Sequence, residues 1–501
     1  MLKQTAGLLA LLACLYTNGQ QPVYDGFELA KNTTATALTN EGLNSILVSN
    51  YTKTSVNRIV VRPGQPPLQL LNQPVSEVDG DKTFRRTQAI PEKIALLLFK
   101  TSPIGGYFDT KSIVEVNREQ SSSDFYFTET NLGTGNSTIT DTIKSTTKEK
   151  ILGCTNRNGS VLLITYLEST NTVIVYKKAA GRSLVKTAIE IENDGFGKLS
   201  EKIFASEVKT FADIFRKSSF AVYQNNIRYH PLFHSVRTKA YFQKDKLVFT
   251  VNSNNLSTYL ISIQLDDFSY KLQRFTQQNE TVTAEHSTNS LLIDSMLITA
   301  HFNKKNLLLN LFNTATETHL KTLSISSENI DSIATEPIQK TGNFWSKAET
   351  SNESFQNFQA TSASNQLGLS GYIQDRKLYL MFATPFKQIV TANTLLGLAM
   401  SAAGTYYVNA APDTYGYMLV SFPGLRSSTF ISFPATLSLP GMNFTGEIGN
   451  CSVWDKLQSQ MQLRKIEAEK SHFFYMNGYF YVGYMSDRKY RIFRFDERGI
   501  E

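Results

Sequence analysis

The stretch that decides the fold runs from Lys239 to Ile325. It contains Lys246-Leu-Val-Phe-Thr-Val251, then Tyr259-Leu-Ile-Ser-Ile-Gln-Leu265, then Tyr270-Lys-Leu-Gln-Arg-Phe275. A second set follows: Met296-Leu-Ile-Thr-Ala-His-Phe302, Leu307-Leu-Leu-Asn-Leu-Phe312 and His319-Leu-Lys-Thr-Leu-Ser-Ile325. Each set reads as three short strands, rich in β-branched and aromatic residues and separated by polar turns. Asp245 and Asp294 stand at equivalent places, immediately ahead of the first strand of each set.

The pattern extends in both directions. Upstream lie Ile94–Phe99, Ser112–Val116, Asp124–Phe127, Val161–Leu167, Asn171–Tyr176 and Leu184–Ile191. The turn Ala179-Ala-Gly-Arg182 joins the last two, and Gly181 supplies the positive φ of a tight hairpin. Downstream lie Lys377–Ala383, Gly404–Val408, Tyr417–Phe422, Ser428–Phe433, His472–Met476, Gly478–Tyr484 and Lys489–Phe495. Lead strands near residues 94, 161, 247, 296, 378, 417 and 479 count about seven units. Hairpin units that cannot bury their faces alone call for radial repetition. The expected fold is all-β with two minor helices, a β-propeller-like repeat of about seven antiparallel units. Tandem β-sandwiches are the alternative.

Two segments change period. Apolar residues at Leu199, Ile203, Phe204, Val208, Phe211 and Phe215 predict one helix, and Ser452-Val-Trp-Asp455 with Leu457 and Met461 predicts another. Ser326 to Gln366, rich in Ser, Asn, Thr and Glu, reads as a long exposed loop. Residues 20–90 read as an irregular N-terminal arm or the first outer strands, and 91–501 as the repeat domain.

The N-terminus has its own logic. Lys3 precedes an apolar run, Ala6–Tyr16, and Thr17-Asn-Gly19 closes it. This is the layout of a signal peptide over 1–19, too short for a membrane anchor. Leu11-Leu-Ala-Cys14 also resembles a lipobox, with Cys14 as the lipidated residue, although the lead-in is short for one. The expected location is secreted, cell-surface or periplasmic. Removal of the leader leaves Cys154 and Cys451, two cysteines available to form a disulfide. No later window is apolar enough to cross a membrane as a helix.

Composition narrows the function classes. The 501 residues are 41% hydrophobic and 19% charged, with 32 Phe, 23 Tyr and a net charge of +7. The positive charge is dispersed, so no nucleic-acid footprint is expected. The six histidines are His230, His234, His286, His301, His319 and His472. His230 and His234 are the one close pair, but Pro231 between them opposes the helix that would aim both at one metal. Asp79-Gly-Asp81 and Glu192-Asn-Asp-Gly195 read as acidic turns rather than calcium loops. Leu132-Gly-Thr-Gly-Asn136 lacks the remaining features of a dinucleotide site. No cofactor or metal site is expected, and no catalytic residue can be assigned. Asn-x-Ser/Thr sequons stand at Asn32, Asn50, Asn136, Asn158, Asn255, Asn279, Asn352, Asn443 and Asn450. In a eukaryotic secretory chain they mark surface. The dense aromatics Phe473-Phe-Tyr and Tyr479-Phe-Tyr read as core.

These features suit an exported binding or scaffold module with a protein or glycan ligand. The alternatives are a propeller or sandwich enzyme acting on glycans and a structural cell-envelope component.

Overall fold

The computed structural model describes residues 24–28, 34–40, 45–51, 55–62, 68–74, 101–119, 124–144, 149–167, 170–191, 220–224, 238–243, 245–252, 257–276, 288–302, 306–336, 338–341, 351–364, 367–385, 408–410, 415–418, 430–446, 471–476, 479–486 and 489–496. Strands dominate them. The chain divides into two compact units. One holds residues 18–191, 406–421 and 461–501, the other 192–405 and 422–460.

In the first unit, sheet I comprises Thr34–Asn40, Ser45–Tyr51, Ser55–Val61 and Leu68–Pro74 in sequential antiparallel order. Sheet II comprises Thr101–Phe108, Ser112–Glu119, Phe125–Asn131 and Ser137–Ile143. Sheet III comprises Glu149–Arg157, Ser160–Leu167, Thr172–Ala179 and Val185–Glu190. Sheet VII comprises Ser471–Met476, Tyr479–Ser486 and Lys489–Asp496, and its fourth strand is Tyr24–Glu28 from the other end of the chain. Glu28 pairs with Lys489 and Phe27 with Tyr490. The short strands Val408–Ala410 and Tyr415–Met418 bridge sheets III and VII into one ten-stranded sheet, through a parallel pairing of Cys154 with Asn409.

In the second unit, sheet IV comprises Phe220–Gln224, Thr238–Phe242, Lys246–Val251, Ser257–Gln264 and Tyr270–Thr276. Sheet V comprises Thr288–Ile293, Met296–Phe302, Asn306–Asn313 and Thr318–Ser326. Sheet VI orders Gln339–Thr341, Phe430–Ser438, Lys377–Pro385 and Gly368–Gln374, with Asn443–Phe444 added to the long strand.

The fold is thus an all-β, propeller-like repeat of seven units, antiparallel except that in sheet IV the edge strand Phe220–Gln224 runs parallel to Thr238–Phe242. Burial grades across a unit. In sheet V the strand Thr288–Ile293 is wholly buried, while Thr318–Ser326 is largely exposed. Sheet III grades alike, from the buried Ser160–Leu167 to the exposed Val185–Glu190. That gradient explains part of the sequence pattern: the buried Ser160–Leu167 reads as a nearly continuous apolar run, whereas Thr288–Ile293 is buried although half of its residues are polar.

The structure corrects the expected unit in three ways. The repeat has a further strand ahead of Asp245 and Asp294, namely Thr238–Phe242 and Thr288–Ile293. Asp294 lies in the intervening hairpin turn at φ 51. The segment near 417 is no separate unit, since Tyr415–Met418 is a bridging strand and Phe430–Ser438 pairs with Lys377–Pro385 in sheet VI. Residues 34–74 supply a unit instead.

Ser326 to Gln366 is not simply a loop. It contains the helices Ile330–Ile333 and Ser351–Ser364. The longer helix has few apolar residues, but Phe355 and Phe358, one turn apart, are fully buried. Phe358 packs 5.1 Å from Phe433 and 5.7 Å from Phe302, centroid to centroid. Two aromatic anchors seat an otherwise polar helix on the core shared by sheets V and VI. The helices expected over Leu199–Phe215 and from Ser452, and the strand Ile94–Phe99, lie outside the described residues.

Candidate functional site

The most unusual chemistry is a fully buried lysine. Lys239 lies in Thr238–Phe242, the strand that precedes Asp245. Its Nζ donates to the Asn289 side-chain oxygen and to the Ser290 carbonyl, both on the wholly buried strand of sheet V. The same Asn289 oxygen accepts the Ser290 backbone N–H at 2.7 Å. Asn289 Nδ2 donates to the Leu367 carbonyl, at the entry to the Gly368–Gln374 strand of sheet VI. Asn252 Nδ2 donates to Ser290 Oγ at 2.9 Å, and Thr258 Oγ1 donates to Asn252 Oδ1 at 2.7 Å. One polar chain therefore ties sheets IV, V and VI at their buried strands.

Desolvation holds the Lys239 amine well below the usual lysine range. A neutral amine is a nucleophile in principle. Here it is enclosed, and its donors are committed to protein oxygens. The arrangement fixes strand positions.

The first unit uses a different device. Arg58 of sheet I reaches Glu115 of sheet II, Nη2 to Oε2 at 3.0 Å, with both side chains buried. Sheets II and III are joined by Asn156 Nδ2, which donates to the Gly106 carbonyl at 3.2 Å. Lys178 and Asp141 pair at 2.6 Å, and the Gly181 N–H donates to Glu129. Within sheet III, Glu149 Oε1 accepts Thr165 Oγ1 at 2.6 Å and Tyr176 OH at 2.9 Å. Burial, together with the Glu149 carboxylate, pushes the Tyr176 phenol up.

The outer strands of the second unit carry exposed polar links. Lys271 of sheet IV pairs with Glu317 of sheet V at 2.6 Å, and Gln273 Nε2 donates to the same carboxylate at 3.0 Å. Hydrogen bonds from Lys271 and Gln273 hold the Glu317 carboxyl below its usual range. Lys321 of sheet V reaches Asn443 Oδ1 of sheet VI at 2.6 Å.

The residues singled out from sequence are dispersed. His301 is buried in Met296–Phe302. His319 is exposed, its Nε2 2.9 Å from Thr322 Oγ1 and its ring against Phe312. His230, His234 and His286, the acidic turns at 79–81 and 192–195, and Cys14 lie outside the described residues. Cys154 is buried in the core of sheets II and III, and burial pushes its thiol up. Cys451, its expected partner, lies outside the described residues. The Gly-rich segment Leu132–Asn136 is a hairpin turn in which Asn131 Oδ1 accepts the Gly133 and Thr134 N–H groups. Gly181 takes the positive φ expected of it. Of the aromatics Phe473–Tyr475 and Tyr479–Tyr481, Tyr481 is the one with a described side chain, and it is buried. Among the described residues no group of three or more His, Cys, Asp or Glu is placed to hold a metal ion. Among them, no helix is long and apolar enough to cross a membrane.

Sequence reasoning missed Lys239. Nothing marks it within its own strand; the signal is a lysine inside a buried segment, and that needs the strand ahead of Asp245 to be recognised first.

No protein-family model matches the chain, and no curated protein sequence does. Among solved structures it is similar to a prolyl endopeptidase at 8% identity and a TM-score of 0.32, over 98% of this chain and 54% of that one. It is similar to the WD40 domain of SCAP from fission yeast at 8% identity and a TM-score of 0.27, over 83% of this chain and 97% of that one. Oligopeptidase B from Leishmania major is similar at 9% identity and a TM-score of 0.31, over 77% of this chain and 43% of that one. The chain thus spans about half the length of the prolyl endopeptidase it matches.

Proposed function

We propose that the chain is an exported β-repeat protein that acts as a binding or scaffold module, outside the cell or at its surface, toward a protein or glycan ligand. The observation that supports this reading is how the buried polar groups are used. Lys239, Asn289, Arg58, Glu115 and Asn156 are committed to holding neighbouring sheets together. Such a frame keeps its exposed turns in fixed positions, which favours binding through preorganised loops. The leader over residues 1–19 supports export.

Expression of the full chain in secretory cells tests the compartment. A mature N-terminus near Gln20 in the medium is expected; retention inside the cell with Met1 intact would refute export. A panel of polysaccharides then tests the activity class. Saturable binding without product is expected, and turnover of any member would sink the binding-only reading.

A further inference from the structure

The sequons divide by burial. Four of them have a described asparagine side chain, Asn136, Asn158, Asn352 and Asn443, and all four are exposed. Among the described residues Asn117, Asn156, Asn252, Asn289 and Asn310 are buried, and none of these begins an Asn-x-Ser/Thr triplet. A glycan added before folding is tolerated only where the asparagine ends in water, so this is the partition that modification would require.

The four are not equivalent. Asn443 Oδ1 accepts from Lys321, and Asn352 Oδ1 accepts from Gln356 at 3.0 Å. The side chains of Asn136 and Asn158 make no hydrogen bond among the described residues, although the Asn136 backbone N–H donates to Thr134 Oγ1 at 3.3 Å. Both occupy hairpin tips in the first unit. Asn158, at φ 48, and Gly159, at φ 69, form the two-residue turn between Glu149–Arg157 and Ser160–Leu167. Asn136 closes the turn between Phe125–Asn131 and Ser137–Ile143.

The two tips belong to one region. The Leu132 N–H of the Asn136 turn donates to the Lys111 carbonyl at 2.7 Å, in the turn that follows Thr101–Phe108. The half-buried Tyr107, beside that turn, lies against Gly159, with its hydroxyl 3.7 Å from where a Cβ would stand. Both tips therefore lie at the same end of sheets II and III.

We propose that Asn136 and Asn158 are N-glycosylation sites that place oligosaccharide on this end of sheets II and III. The proposal rests on the export reading. The donor is a polyprenyl-pyrophosphate oligosaccharide of a eukaryotic secretory compartment. The amide Nδ2 forms a bond to the anomeric carbon of the first sugar. The bond from that carbon to the pyrophosphate oxygen breaks, its electron pair leaves with the lipid pyrophosphate, and the amide gives up one proton. No oxidant or reductant is needed.

The test uses eukaryotic secretory cells in two arms. One expresses the full chain with its own N-terminus; the other expresses residues 20–501 behind the leader of an unrelated secreted protein. Protein recovered from the medium is treated with an amidase that releases N-glycans and converts each occupied asparagine to aspartate, then mapped by mass spectrometry. Conversion at Asn136 and Asn158 in both arms is expected, with Asn136→Gln, Asn158→Gln and Thr138→Ala each removing one glycan. Unmodified Asn136 and Asn158 in protein secreted behind the unrelated leader overturn the sites and leave export standing. Retention of the own-leader chain inside the cell, with Met1 intact, overturns export and this proposal with it.

Discussion

Arg58–Glu115 in the first unit and Lys239–Asn289 in the second do the same task with opposite electrostatics. Each joins buried strands of neighbouring sheets. Arg58 is joined to the Glu115 carboxylate, an ion pair between two buried side chains. Lys239 has a side-chain amide and a backbone carbonyl as its acceptors, and burial favours its neutral form. A buried cation in such a repeat can thus be compensated or discharged, and the choice sets how stability depends on pH.

The largest expected effect comes from breaking the charged pair. Arg58→Met leaves Glu115 buried and unpaired, and removal of one partner of a buried pair costs about 3–5 kcal/mol. Denaturant unfolding at pH 7 should show that loss. Arg58→Met with Glu115→Leu should recover most of it. A single variant as stable as the parent would show that the pair does not clamp sheets I and II.

Lys239→Met should behave differently. The folded pKa of Lys239 lies below its unfolded value, so between the two the unfolded chain binds the additional proton. The parent is therefore penalised at lower pH, and the penalty is relieved as pH rises toward the unfolded lysine value. Loss of the side chain also strips a donor from Asn289 and from the Ser290 carbonyl, at about 1–3 kcal/mol. Measured against Lys239→Met, the parent should gain stability from pH 7 to 10, by at most about 1.4 kcal/mol per pH unit. Parallel pH curves for the two proteins would show that Lys239 is buried charged.

The smallest effect is expected at the rim. Lys271 and Glu317 are both exposed, and solvent screens their pairing. Lys271→Ala should leave the unfolding midpoint unchanged within error. A clear loss there would move the weight of sheet-to-sheet joining from the buried strands to the outer ones.

The strand-rich fold was legible because its strands are short, apolar and separated by turn residues, as in Lys246–Val251 and Asn306–Asn313. What hid was hidden for physical reasons. Thr101–Phe108 carries Pro103, Gly105 and Gly106, with a register irregularity between Pro103 and Gly105, so it did not read as a strand. Ser351–Ser364 is polar enough to pass for a loop, and its two phenylalanines become anchors only against Phe302 and Phe433. Lys239 carries no mark in sequence that sets it apart from the other lysines of the chain. Its partners lie some fifty residues further along the chain, and periodicity carries no information about such pairs.

The sheet Ser471–Asp496 of the repeat is completed by Tyr24–Glu28, the first described strand. Glu28 and Lys489 are directly opposed in that pairing. The direct test is Glu28→Cys with Lys489→Cys, oxidised in the folded protein and mapped by mass spectrometry without reduction. A cross-linked peptide joining positions 28 and 489 is predicted; two free thiols at those positions, with the chain folded, would contradict it.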